Sequence, residues 1–212
     1  MKSKINTPRI INFRNAAAVV ATIGLLAATG CRKDDDEPKV SPVVEATNST
    51  IIPIADAVYS GGVHTPVSTE SAVVVNASGT IKDLSKMTLE MNVTCSFARD
   101  LSFALQAPDG TKKDFIYRAG SNGNYIAANL YRFNNTFTST FPEGTVEDIA
   151  AGNYKESKGS LYPAVPIESI FSSFNGKQVN GTWKLIITDH DELVLGTLHS
   201  WKLHFAEGAL QQ

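Results

Sequence analysis

Four histidines and two cysteines are the side chains from which this 212-residue chain could assemble a nucleophilic or metal-assisted site. A serine or cysteine nucleophile needs a base within hydrogen-bond reach and donors for the oxyanion it generates. His64 stands in a Gly-rich stretch, His190 in an acidic loop, His199 just before Ser200-Trp201, and His204 on the outward side of a strand-like run. No G-x-S-x-G element offers a serine at a sharp strand-to-helix turn. The expectation is no catalytic residue and no enzyme. Zinc is disfavoured too, because Cys95 falls on an apolar strand face with neither a second nearby cysteine nor a spaced histidine pair. Its expected role is that of a small buried hydrophobe.

Cys31 has a different context. Residues 1–30 carry Lys2, Lys4, Arg9 and Arg14 and no acid, and residues 16–28 form an apolar run. That run is too short for a bilayer span, which takes about 20 residues, and reads as the core of a secretory signal occupying residues 1–30. Ala28-Thr29-Gly30-Cys31 resembles a bacterial lipobox, with Ala28 standing where leucine is usual; the resemblance implies lipidation of Cys31. The charged run Arg32-Lys33-Asp34-Asp35-Asp36-Glu37 opens an expected disordered acidic tether over residues 31–50. Acids directly after a lipidated cysteine resemble the export signal of Bacteroidetes surface lipoproteins, implying an outer-membrane, lipid-anchored, surface-exposed protein. The formal charge of −2 hides this division: removing the four bases of residues 1–30 from 19 leaves 15 against 21 acids, a net −6. Without clustered Lys and Arg, nucleic acid is excluded as a partner. With Cys31 acylated, Cys95 has no disulfide partner, so the fold must stand without one.

The elements that would position any site are strands. Met87, Leu89, Met91, Val93, Cys95 and Phe97 alternate with Thr88, Glu90, Asn92, Thr94 and Ser96, which predicts one buried and one wet face. Leu101, Phe103, Leu105 and Ala107 alternate again until the turn residues Pro108-Asp109-Gly110. Trp183, Leu185 and Ile187 repeat the pattern, as do Trp201, Leu203 and Phe205, with Lys202 and His204 facing out. Residues 121–162 are rich in Gly, Asn, Ser and Thr and look strand-like only over 125–133, while residues 167–174 could form at most two helical turns. Short strands joined by irregular connections predict an all-β, antiparallel β-sandwich.

Four segments carry a resemblance. Asp100-Leu101-Ser102-Phe103-Ala104-Leu105-Gln106-Ala107-Pro108-Asp109-Gly110-Thr111 is similar to the "GDL…L.SP.GT" segment of the P domain, or P/Homo B domain, of furin-like and kexin-like convertases and bacterial secreted proteases. Phe174-Asn175-Gly176 with Asn180-Gly181-Thr182-Trp183-Lys184-Leu185 resembles its "FNG…NGTW.L" element. The run from Gly196 through Trp201 to Phe205 resembles "GTL..W.L.F", and Ile54-Ala55-Asp56 resembles the opening strand. The likeness spans residues 51–207 and implies a jelly-roll-like antiparallel β-sandwich. It also implies structural roles for Asp100, Gly110, Gly181, Trp183, Gly196 and Trp201: glycines for turns closed to residues with a Cβ, tryptophans as filling between sheets.

In proteases of that family the catalytic Ser, His and Asp lie in a separate, preceding subtilisin-like domain, so the resemblance implies an accessory module. Some P domains bind calcium, which makes Asp100, Asp109, Asp189 and Asp191 candidate ligands; otherwise Asp109 sets a turn, Asp100 caps a strand start and the rest are solvated. Two departures from the family pattern weaken the calcium reading. Leu193-Val194-Leu195-Gly196 stands where many bacterial members have Gly-Asp-Thr-Gly, the first three positions being apolar, and Arg99 replaces a glycine. Those three apolar residues are either buried under the sandwich edge or exposed as a contact patch. Tyr125, Tyr131, Tyr154 and Tyr162 could line a sugar-binding face. Two functions follow as expectations: a protein-binding or protease-stabilising surface lipoprotein, or a glycan-binding, adhesive one. No cofactor is expected beyond calcium.

Overall fold

The computed structural model describes residues 40–119, 126–141, 148–155, 157–158, 171–193 and 195–212. Residues 1–39, and with them Cys31, lie outside that set, as do Tyr125, Tyr162 and Val194. The strands are β1 (Val44–Asn48), β2 (Ile52–Pro53), β3 (Val58–Ser60), β4 (Val63–Thr65), β5 (Val67–Val75), β6 (Thr80–Ile81), β7 (Met87–Cys95) and β8 (Leu101–Gln106). They continue with β9 (Lys112–Tyr117), β10 (Ile126–Phe133), β11 (Gly152–Tyr154), β12 (Ser157–Lys158), β13 (Gly181–Asp189), β14 (Gly196–Phe205) and β15 (Leu210–Gln211).

One sheet runs β1-β14-β7-β10-β11, with β2 also on β14; the other runs β12-β9-β8-β13-β5. Pairing is antiparallel except at two edges, where β11 joins β10 and β12 joins β9 in parallel. The chain changes sheets between β2 and β5, β5 and β7, β7 and β8, β9 and β10, β11 and β12, and β13 and β14. The two inner faces close on each other as a β-sandwich, as the alternation predicts. Trp183 and Trp201 are fully buried between them, and each indole N–H is satisfied, on the Val179 carbonyl (2.9 Å) and on Ser71 Oγ (2.9 Å). Burying an indole without such a partner would cost free energy.

The alternation of β7 holds from Met87 to Cys95 and stops there. Phe97, expected in the core, is 39% exposed, because the chain turns into a short 3-10 segment, Ala98–Asp100, and Ala98 takes the buried position instead. Cys95 is buried and free, and burial pushes its thiol up to about 12, so it is inert packing. The fold also reaches beyond residues 51–207 at both ends. β1, inside the expected tether, pairs along its whole length with β14, and Ser41 Oγ accepts the Leu210 N–H (3.0 Å). β15 pairs with β6. The early strand was hard to read because Ala46 alone in β1 is buried, too small a residue to announce a core face.

The acidic end of the sandwich, a candidate functional site

Four strand ends and a hairpin meet at one end of the sandwich. Asp189 closes β13 opposite Leu101 at the start of β8, and Cys95 closes β7 opposite Gly196 at the start of β14. The β3–β4 hairpin is joined to the loop after β13 by His64 Nδ1 with Asp191 Oδ1 (3.0 Å), and the Leu193 N–H donates to Asp56 Oδ2 (3.2 Å). The loop is tied to the start of β8 by the His190 N–H on the Asp100 carbonyl (2.8 Å). Asp56, Asp100, Asp189 and Asp191 therefore share one end.

Their environments differ. Asp189 is fully buried; its Oδ1 accepts the Asp191 N–H, but its Oδ2 has no hydrogen-bond partner. Burial pushes its carboxyl up to about 7, against the Asp191 N–H bond and with the help of Asp56 and Asp100. Asp100, also buried, is raised by burial and by Asp191, with Arg99 and Arg118 opposing. Its Oδ1 stands 3.4 Å from Arg99 Nε and 3.7 Å from Arg118 Nη2, within ion-pair range but outside hydrogen-bond geometry.

The structure separates the four proposed calcium ligands. Asp100, Asp189 and Asp191 lie at this end, whereas Asp109 sits past the other end of β8, paired with Lys177 (2.8 Å) and accepting the Thr111 N–H as a turn residue. Among the described residues, no group of three His, Cys, Asp or Glu side chains is arranged to hold a metal ion. A dication at Asp100 would also have to displace two guanidinium groups.

A Ser–His contact not visible in the sequence appears here, between residues 88 positions apart. Ser102 Oγ lies 2.8 Å from His190 Nε2, and the imidazole packs edge-on against Tyr117. The distance is that of a nucleophile and its base, while the surroundings of the ring weaken it as a base. Burial, with Arg118 close by, depresses His190 to about 4, so the ring has little appetite for a serine proton. Ser102 is itself buried in the sheet. The contact fastens the loop to β8.

Next to the carboxylates, Pro53, Ile54, Asp56, Thr94, Ser96, Leu195, Gly196 and Thr197 line a cleft of about 550 Å³. Gly196 is required there by close approach: a Cβ would stand 2.7 Å from Ile54 Cδ1 and 3.1 Å from the Thr94 carbonyl oxygen. Leu193 and Leu195 are 77% and 81% exposed, and Leu193 adopts a left-handed backbone (φ 70°). Of the two fates open to this apolar loop, these two leucines take exposure.

The tyrosine expectation is corrected for the two rings described. Tyr131 and Tyr154 are buried among Phe133 and Phe141, and their hydroxyls donate inward to the carbonyls of Ile149 (2.8 Å) and Ala150 (2.6 Å). They face the core and line no sugar-binding surface.

Among the solved structures similar to this chain are two of the Aeromonas sobria serine protease. In complex with the chaperone ORF2 it shares 14% identity at a TM-score of 0.35, over 80% of this chain and 27% of the other. Without the chaperone the figures are 13% and 0.36, over 82% and 28%. The chain thus spans under a third of the length of these proteins. No curated protein matches it. The family model of the proprotein convertase P-domain matches residues 84–205, more than half of the sequence, on the strands that carry the Asp100, Gly181, Trp183, Gly196 and Trp201 motifs, and the chain belongs to that family.

Proposed function

We propose that this protein is a non-catalytic, lipid-anchored outer-membrane protein displayed at the cell surface, whose P-domain binds another protein or stabilises a secreted protease in trans. The observation that carries the reading is the acidic end itself: a P-domain end whose Ser–His contact is built for packing, flanked by two leucines left in solvent. Solvent-facing apolar side chains grouped beside a cleft favour a contact surface over a reaction centre. The glycan-binding alternative loses two of its four tyrosines, Tyr131 and Tyr154, to the core.

The lipid-anchor reading rests on the sequence around Cys31. Val44 of β1 pairs with Phe205, the far end of β14 from Gly196, so the chain enters the sandwich about 30 Å from the acidic end. Two or three acyl chains hold a protein firmly, at about 0.8 kcal/mol per buried CH₂, whereas none leaves it soluble. Cys31→Ser is expected to move the protein from the membrane to the soluble fraction; retention of the variant in membranes overturns lipidation. Protease shaving of intact cells reports display. For the accessory role, the purified protein is screened against secreted proteases for complex formation and for prolonged protease half-life, and intrinsic peptide hydrolysis with no effect on any protease overturns it.

A further inference from the structure

The cleft at the acidic end combines two properties that specify a ligand. Pro53, Ile54 and Leu195 give it apolar surface, Thr94 and Ser96 give it hydroxyls, and Asp56 gives it a carboxylate. Its parts are fastened in advance: the Ile54 N–H donates to the Gly196 carbonyl (3.0 Å), the Leu195 N–H to Ser96 Oγ (3.0 Å), and the Ser96 N–H to the Leu195 carbonyl (3.0 Å). A preformed wall costs little ordering when a ligand arrives. Around it, Asp100, Asp189, Asp191 and Glu192 share the end with Asp56; Arg99 and Arg118 stand against Asp100 and His64 against Asp191, so the carboxylates outnumber the guanidinium groups and the field over the cleft keeps a negative sign. Leu195 borders the cleft yet is mostly in solvent, ready to cover an incoming aliphatic chain.

Long cationic side chains match this combination, since lysine and arginine lay an apolar stem on apolar surface and keep a charged head beyond it. We propose that the cleft receives a lysine or arginine side chain of a protein partner, its stem against Ile54 and Leu195 and its cationic head on the Asp56 carboxylate. An anionic lipid surface is disfavoured by the field, and a small inorganic cation would leave the leucine unused. The inference rests on the protein-binding reading and names the chemistry of the contact.

The test uses the full-length protein and a labelled pentapeptide, Gly-Leu-Arg-Leu-Gly, beside the same peptide with citrulline, which keeps the shape of arginine without its charge. Fluorescence anisotropy is expected to show the arginine peptide binding about tenfold more tightly than the citrulline peptide. Asp56→Asn, which keeps an acceptor for the Leu193 N–H, should erase that preference. Leu195→Lys, at a side chain that contributes little to folding, should weaken the arginine peptide by like-charge repulsion. Equal binding of both peptides, no binding of either, or a preference that survives Asp56→Asn and Leu195→Lys overturns the proposal. The two readings fail separately. A protease partner that binds wild type and Asp56→Asn equally preserves the accessory role and removes the cleft from it. An arginine preference erased by Asp56→Asn, with no partner found in the protease screen, preserves the cleft and removes the protease.

Discussion

The two ends of the central strands β8 and β13 use the same residue types to opposite effect. At one end, Asp109 is exposed, accepts the Thr111 N–H, pairs with Lys177, and is held down to about 2, chiefly by the lysine hydrogen bond. There Gly181, in a left-handed backbone (φ 122°), sits against Pro108. At the other end, Asp189 is buried with an oxygen unpartnered and is pushed up to about 7, and Gly196 sits against Ile54. One end is a closed turn whose polar groups are satisfied. The other retains carboxylates under mutual repulsion and leucines in solvent, an arrangement folding alone does not favour and one that a binding surface explains.

The largest expected contrast is steric. A Cβ on Gly181 would stand 2.9 Å from Pro108 Cβ, in a backbone conformation that L-residues avoid. Gly181→Ala should therefore cost about 3 kcal/mol, combining backbone strain with overpacking. At Gly196 the nearest atom is the flexible Cδ1 of Ile54, so Gly196→Ala should cost about 1 kcal/mol and be felt mainly at the cleft wall. Urea denaturation of both variants orders the two ends, and a larger loss at Gly196 would break the view that the closed turn is the more rigid one.

How much of this was legible differs between the ends as well. The closed turn could be read from Pro108-Asp109-Gly110, because turn chemistry is local and Gly110 does have a positive φ (86°). The tryptophans announced the core through period-two alternation, which depends only on strand geometry. The acidic end is assembled from Asp56, Asp100 and Asp189, brought together by β-pairing over long sequence separations, and no spacing rule marks such a set. The Ser102–His190 contact is hidden for the same reason. Of the two roles open to Asp109 in the sequence, the structure takes the turn and not the acidic cluster, since a carboxylate beside a turn looks alike whether it faces a lysine or another acid. Asn134, at the end of β10, is likewise opaque in sequence. Its side-chain amide donates to the carbonyls of Ser85 and Met87 (2.9 Å each), a buried structural clasp rather than a surface feature.

A second contrast is in the response to pH. Asp189, raised from 3.8 to about 7 on folding, adds stability while protonated and loses it as pH rises from about 4 to 7. His190, depressed from 6.5 to about 4, is held neutral, so its contribution is present above the unfolded value and is lost as pH falls from about 6.5 to 4. Each is worth about 2 kcal/mol once partial solvent screening is allowed for, and over the shared window the two slopes oppose. Wild type should therefore be nearly flat between pH 4 and 7. Asp189→Asn should expose a stability that rises with pH, and His190→Gln one that falls. Denaturation midpoints across that range test it, and identical profiles for the two variants would break the pairing.

The smallest effect belongs to the closed end and has the sign of an ordinary ion pair. Asp109, lowered from 3.8 to about 2, contributes stability that is present above the unfolded value and lost only as pH falls from about 4 to 2. Because Asp109 and Lys177 are both substantially exposed, the limb is small, and Asp109→Asn should remove it and lower the neutral-pH denaturation midpoint by that same small amount. Salt should shrink that limb in wild type, as screening reaches an exposed pair, while leaving the buried Asp189 response largely in place. A single titration series at low and high ionic strength therefore sorts the two aspartates by environment. If salt moved both limbs equally, Asp189 would be in contact with solvent, and the acidic end would lose the buried carboxyl that sets it apart from the turn.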